Sequence, residues 1–247
     1  NSFFQCAHPP AIELGEILSE IAPDGFSRVF YTGSGSEAND TVIRLVRRFW
    51  QLQDKPDKQI IIARKNAYHG STIAAASLGG MEGMHTQGPG IPIPNIIHIA
   101  QPYWFQEGRD IDPNTFGIAV AEELEKAIDH HGIDKIAAFI AEPIQGAGGV
   151  IIPPETYWPV IQRICDDNEI LLVADEVVTG FGRLGEWFGS TTYKIKPDLI
   201  AFAKGVTSGY LPLGGVLVND KVADILIEKG GEFIHGFTYS GHPVSCA

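Results

Sequence analysis

Seven short apolar runs, at 28–32, 59–64, 95–100, 136–142, 170–175, 198–204 and 214–219, recur along this chain, and most of them do not alternate with polar residues. A strand with one face in water alternates, so runs that do not alternate belong to strands covered on both faces. Between several of them the apolar residues fall at helical spacing. In 11–22, Ile12, Leu14, Ile17, Leu18 and Ile21 form one stripe, and in 36–53 Val42, Ile43, Leu45, Val46 and Phe49 do the same. The stretches 116–131 and 156–168 read likewise, the second with Thr156 as N-cap and Pro159 in its first turn. Strands alternating with helices build βαβ units. The expected fold is therefore α/β, a mostly parallel central sheet flanked by helices, with ligands at the carboxyl ends of the strands. The Gly- and Pro-rich stretches 79–94 and 101–115 are expected to be long loops.

Chemistry gathers at those strand ends. The run at 171–174 delivers Asp175 and Glu176, and the run at 199–203 delivers Lys204. A carboxylate in a dry site needs a cationic partner, and a lysine at the end of a buried strand needs a partner or a role, its pKa lowered by burial. Together they match what pyridoxal phosphate requires: an amine to bond its aldehyde and an anion for its pyridinium nitrogen. Taken alone, Asp175 could instead pair with Arg183 or share a metal with Glu176, and Lys204 could snorkel to solvent. The turn Gly33-Ser34-Gly35-Ser36, ahead of a helix, offers backbone N–H groups to a phosphate. It is equally an ordinary cap, with Ser36, Glu37 and Asp40 in the first turn. Tyr68 could stack on a flat ring or pack in the core. Glu142 could orient an arginine or a substrate amine, or cap its loop. The eight histidines form no HxxxH pair and receive no chemical role; His130 and His131 end a helix, where cations suit the dipole.

A formal net charge of −12 and a pI near 5.0 repel phosphate backbones and anionic bilayers, so neither nucleic acid nor membrane is an expected partner. Cys6, Cys165 and Cys246 are odd in number and far apart, which suits a reducing compartment, here expected to be the cytoplasm. The chain starts on Asn1 rather than Met and stops at Ala247 within an apolar helical pattern. It is expected to be a fragment.

Six segments resemble, in order and spacing, the class III aminotransferases of the fold-type I pyridoxal phosphate superfamily. They are Gly33-Ser34-Gly35-Ser36-Glu37-Ala38-Asn39-Asp40, Tyr68-His69-Gly70-Ser71-Thr72, the stretch from Glu142-Pro143 to Gly148-Gly149, the stretch from Asp175-Glu176 to Gly182-Arg183, Ala203-Lys204-Gly205, and the stretch from Gly236-Phe237-Thr238 to His242-Pro243. The resemblance implies that residues 1–247 form the large cofactor domain, with an N-terminal segment and a small C-terminal domain lying outside the chain. It implies that Lys204 bonds the cofactor covalently and moves the substrate proton, and that Asp175 holds the pyridinium nitrogen protonated. Gly35 and Ser36 would cradle the phosphate, while Tyr68 and Val177 would lie on opposite faces of the ring. Phe237 and Thr238 would reach the phosphate of a neighbouring subunit, which implies a homodimer. Glu142 would pair with an arginine from the small domain. Ornithine and 4-aminobutyrate aminotransferases carry Gln where this chain has Val178, so the resemblance points instead to the ω-amine:pyruvate branch. The implied reaction moves an amino group from a primary amine, diamine or ω-amino acid to pyruvate. An aminomutase or decarboxylase of the same fold, and a non-catalytic nucleotide-binding module, are the alternatives.

Overall fold

A computed structural model describes residues 6–247. In chain order the elements are α1 (Pro9–Ile21), β1 (Phe26–Thr32), α2 (Gly35–Leu52), β2 (Ile60–Arg64), α3 (Ile73–Leu78), α4 (Glu82–Thr86), β3 (Ile96–Ile99), α5 (Trp104–Glu107), α6 (Pro113–Ala121), α7 (Glu123–His131), β4 (Ile136–Ala141), α8 (Tyr157–Asp167), β5 (Leu171–Asp175), α9 (Gly189–Tyr193), β6 (Leu199–Phe202), β7 (Gly214–Asn219), α10 (Asp220–Gly230) and α11 (Pro243–Cys246). All seven apolar runs are strands of one sheet, in the order β1-β7-β6-β5-β4-β2-β3. Pairing is parallel from β6 through β5, β4 and β2 to β3, and antiparallel on both sides of β7. The expected α/β architecture is the observed one.

The absence of alternation has a direct cause. Every residue of β2, β4, β5 and β6 is buried, because successive side chains enter two different cores. Ile61 and Ala63 face the core closed by α2 and α10, whereas Ile60 and Ile62 face the core closed by α6, α7 and α8. A third cluster joins Leu18 of α1 to Phe188, Phe202 and Leu217. Burying a side chain of this size contributes roughly 1.5–3 kcal/mol, so the two-sided cores carry most of the folding energy.

Several expectations need correction. The stretch 116–131 is two helices, broken at Glu122, whose N–H is shared between the carbonyls of Ile118 and Val120. Thr156 stands at the N-cap of α8 without capping it, because its hydroxyl donates to Asn114 O at 2.7 Å and ties α8 to α6. The stretches 79–94 and 101–115 are not wholly loop; they contain α4 and α5 and reach the start of α6. Among the described residues, no helix is long and apolar enough to cross a membrane.

Candidate active site

The carboxyl ends of β1, β2, β4, β5 and β6 open on one cavity of about 720 Å³. Gly33, Ser34, Gly35, Ser36, Tyr68, Glu142, Asp175, Val177, Val178 and Lys204 all line it. Seven of the site residues read from the sequence, Gly35, Ser36, Tyr68, Glu142, Asp175, Val177 and Lys204, thus lie around a single space. Segments far apart in sequence meet there because parallel strands put all their C-terminal ends on one side.

The turn after β1 is locked from its own residues. Ser34, not Ser36, caps α2: its hydroxyl accepts from Glu37 N at 3.2 Å, while the Glu37 carboxylate reaches back to Gly33 N at 2.6 Å. Ser36 is released for another task, and its hydroxyl accepts from Ser71 N at 3.1 Å. Asp40 likewise leaves the cap and accepts from Thr72 Oγ1 at 2.7 Å and Ala75 N at 3.1 Å, binding α2 to α3. Gly70 sits at φ +135°, and a Cβ there would come within 2.6 Å of Ser36 Oγ. Only glycine allows the two segments this approach.

Asp175 is 3% exposed, and its hydrogen-bond partners come from the surrounding segments. Asn39 Nδ2 donates at 2.8 Å and His69 Nδ1 lies at 2.7 Å, both on Oδ2, while Val177 N donates to Oδ1 at 3.1 Å. Asn39 Nδ2 also donates to His69 O at 2.7 Å, so one amide clamps both partners. His69 and Asn39 received no role from the sequence. No local spacing marks them, since the fold joins them to Asp175 across 106 and 136 residues. The alternative partners of Asp175 are excluded: Arg183 is exposed, and Glu176 turns away. Glu176 is fully buried, its oxygens accepting from Thr179 Oγ1, Gly189 N, Ser190 N and Ser190 Oγ at 2.5–2.9 Å. Burial pushes its pKa up, and these donors act against the rise.

Lys204 departs from its expected setting. β6 stops at Phe202, and Lys204 opens one turn of 3₁₀ helix, Lys204–Thr207, with φ +46°. Its side chain is exposed on the cavity wall, not buried at a strand end. A left-handed φ is costly for a residue with a Cβ, so the surrounding structure holds this backbone under strain. Glu142 is 4% exposed and accepts from Tyr68 N at 3.2 Å and Gly146 N at 2.8 Å. Burial raises its pKa, as does the nearby Asp175, and His69, the Gly146 N–H and Arg64 pull it down. Phe237 and Thr238 lie outside the cavity, the first half-buried and the second exposed.

The residues fit pyridoxal phosphate. An amine lines the cavity, a buried carboxylate there has no lysine or arginine partner among the described residues, and the N-terminus of an 18-residue helix with a small-residue turn supplies the phosphate seat. Gly35 lets the chain close on Val177, since a Cβ at 35 would meet the Val177 methyls at 3.0–3.1 Å. Tyr68 and Val177 line the space between.

The chain is similar to known proteins along its whole length. The chain is similar to the putrescine--pyruvate aminotransferase of Pseudomonas aeruginosa, with 59% identity over 247 residues, covering 100% of this chain and 54% of the relative. It is 45% identical over 252 residues to the vanillin aminotransferase of Capsicum frutescens, covering 100% of this chain and 55% of the relative. Among solved structures, an (S)-enantioselective omega-transaminase from Thermomicrobium roseum superposes with a TM-score of 0.95 at 45% identity, over 99% of this chain and 54% of that one. The chain spans about half the length of the curated relatives it matches. The model of the aminotransferase class-III family matches residues 1–247, and the chain belongs to that pyridoxal phosphate-dependent family.

Proposed function

We propose that this protein moves the amino group of a primary amine, a diamine such as putrescine or an ω-amino acid, to pyruvate. The observation that carries the reading is the convergence of Lys204, Asp175 and the Gly33–Ser36 turn on one cavity. Bound there, pyridoxal phosphate supplies an aldehyde that takes up the amine and a ring that accepts the electron pair left at the substrate carbon. Lys204 would hold the cofactor through its amine and would serve as the base that moves the proton at the substrate carbon. Asp175 would hold the proton of the ring nitrogen, and His69 and Asn39 fix its carboxylate in place. The backbone at Gly35 and Ser36 would receive the phosphate, and Tyr68 and Val177, which line the same cavity, would hold the ring.

Two further elements belong to the same reading. A homodimer is supported by Phe237 and Thr238, which lie off the cavity of their own chain where a partner's cofactor phosphate could meet them. The cytoplasm is the proposed compartment, on the odd, dispersed cysteines. The test is the full-length protein with pyridoxal phosphate, putrescine and pyruvate, with alanine measured. Alanine formed in step with amine consumed supports the reading. Amine consumed with release of carbon dioxide and no alanine replaces transamination with decarboxylation.

A further inference from the structure

Arg64 closes β2 directly behind Glu142, and its side chain is fully buried. A guanidinium is permanently charged, and a buried one without an acid partner is costly. Among the described residues no carboxylate forms an ion pair with it. Its Nη2 donates to Glu142 O at 2.5 Å, and its Nε and Nη1 have no hydrogen-bond partner among them. The guanidinium carbon stands 5.8 Å from the Tyr157 ring centre and 5.7 Å from that of Trp158. Trp158 Nε1 in turn donates to Pro143 O at 3.1 Å. Two side chains thus grip the successive carbonyls of Glu142 and Pro143 from behind the cavity. On the cavity side, the Glu142 carboxylate accepts from Tyr68 N and Gly146 N.

We infer that Arg64 is a positioning residue: its hydrogen bond fixes the height of the Glu142 carboxylate in the cavity, and its charge favours the ionised form of that carboxylate. The charged and titratable groups facing Glu142 are His69, Asp175 and Arg64, with Lys204 across the same cavity. Asp175 repels the Glu142 charge, and burial disfavours it. Arg64 is the group among them whose positive charge does not depend on pH. Hydrogen bonding to a backbone carbonyl, in place of a carboxylate, leaves that charge without an acid partner, and it acts on both Glu142 and Tyr157. An apolar residue of the same length would pack against Tyr157 and Trp158 and supply neither effect. The inference rests on the proposed transaminase reading only in the use made of Glu142; the coupling of the two residues is independent of it.

The test uses the full-length protein loaded with pyridoxal phosphate and reads its thermal midpoint from about pH 5 to about pH 8. A carboxylic acid whose folded pKa is raised contributes stability at low pH that is lost as pH rises through that pKa. Removing Arg64 raises Glu142 further. The Tm deficit of Arg64→Met should therefore grow with pH in the native background and stay constant in a Glu142→Gln background. Arg64→Lys, which keeps the charge and loses the fork, should show the smaller pH dependence and serves where Arg64→Met does not fold. A deficit equal at every pH, or one that grows equally in Glu142→Gln, overturns the inference. Loss of alanine formation in both Arg64 and Glu142 variants with an intact pH coupling supports it, and failure of transamination in the unmodified protein leaves the coupling test valid.

Discussion

Asp175 and Lys204 meet the cavity in different ways. Asp175 is buried under fixed donors, whereas Lys204 projects into the space with its backbone held in a left-handed conformation. Replacing Lys204 with Ala removes the amine and keeps a Cβ at the left-handed position, so Lys204→Ala should bind pyridoxal phosphate reversibly and show no transamination; gel filtration followed by cofactor assay checks the first part. His69→Ala removes a hydrogen bond to a buried charged group, worth about 1.5–3 kcal/mol. Apoenzyme titration should show cofactor affinity reduced by roughly tenfold to a hundredfold. Lys204 and Asp175 were legible because each is an ionisable residue terminating an apolar run. His69 and Asn39 were not, since their roles come from contacts across more than a hundred residues and no local pattern records them. The exposure of Lys204 was missed for a related reason: the strand ends two residues before Lys204, short of its apolar run.

Elements place these residues through their ends. The Ser34 cap and the Gly70 approach together hold the β1–α2 turn against the segment after β2. Ser34→Ala should cost about 1 kcal/mol by loss of the cap, whereas Ser36→Ala, which caps nothing, should cost less; denaturant midpoints compare them. Gly70→Ala forces a Cβ onto Ser36 and a positive φ onto alanine, and should destabilise by about 1–3 kcal/mol while weakening cofactor binding. The strands were read correctly because burial on both faces leaves an unbroken apolar signal. Helix ends were less legible. Thr156 and Ser36 have the composition of caps, but Asn114 and Ser71 lie within reach and compete for their hydroxyls. The break at Glu122 has no glycine or proline to announce it, being a shift in hydrogen bonding within a continuous apolar stripe.

Across the whole molecule, two-sided burial places ionisable groups in dry surroundings, and stability should report them. Lys58 is 4% exposed, lies 4.0 Å from the Trp50 ring centre and donates to Glu169 O at 3.0 Å. Burial is the main cause that lowers its pKa to about 8. The unfolded chain therefore binds this proton more tightly, and stability should climb as pH rises from about 8 toward about 10.4, the ordinary lysine value. Lys58→Met should flatten that climb in a series of melting curves; an unchanged slope would remove Lys58 from the account. The central claim is the joining of Lys204 and Asp175 into one cofactor site. Its most direct test follows the visible absorbance of the full-length protein with pyridoxal phosphate as putrescine, then pyruvate, is added. A lysine-bound band that bleaches with the amine and returns with pyruvate is the predicted result, and no such band with Lys204 intact would contradict the account.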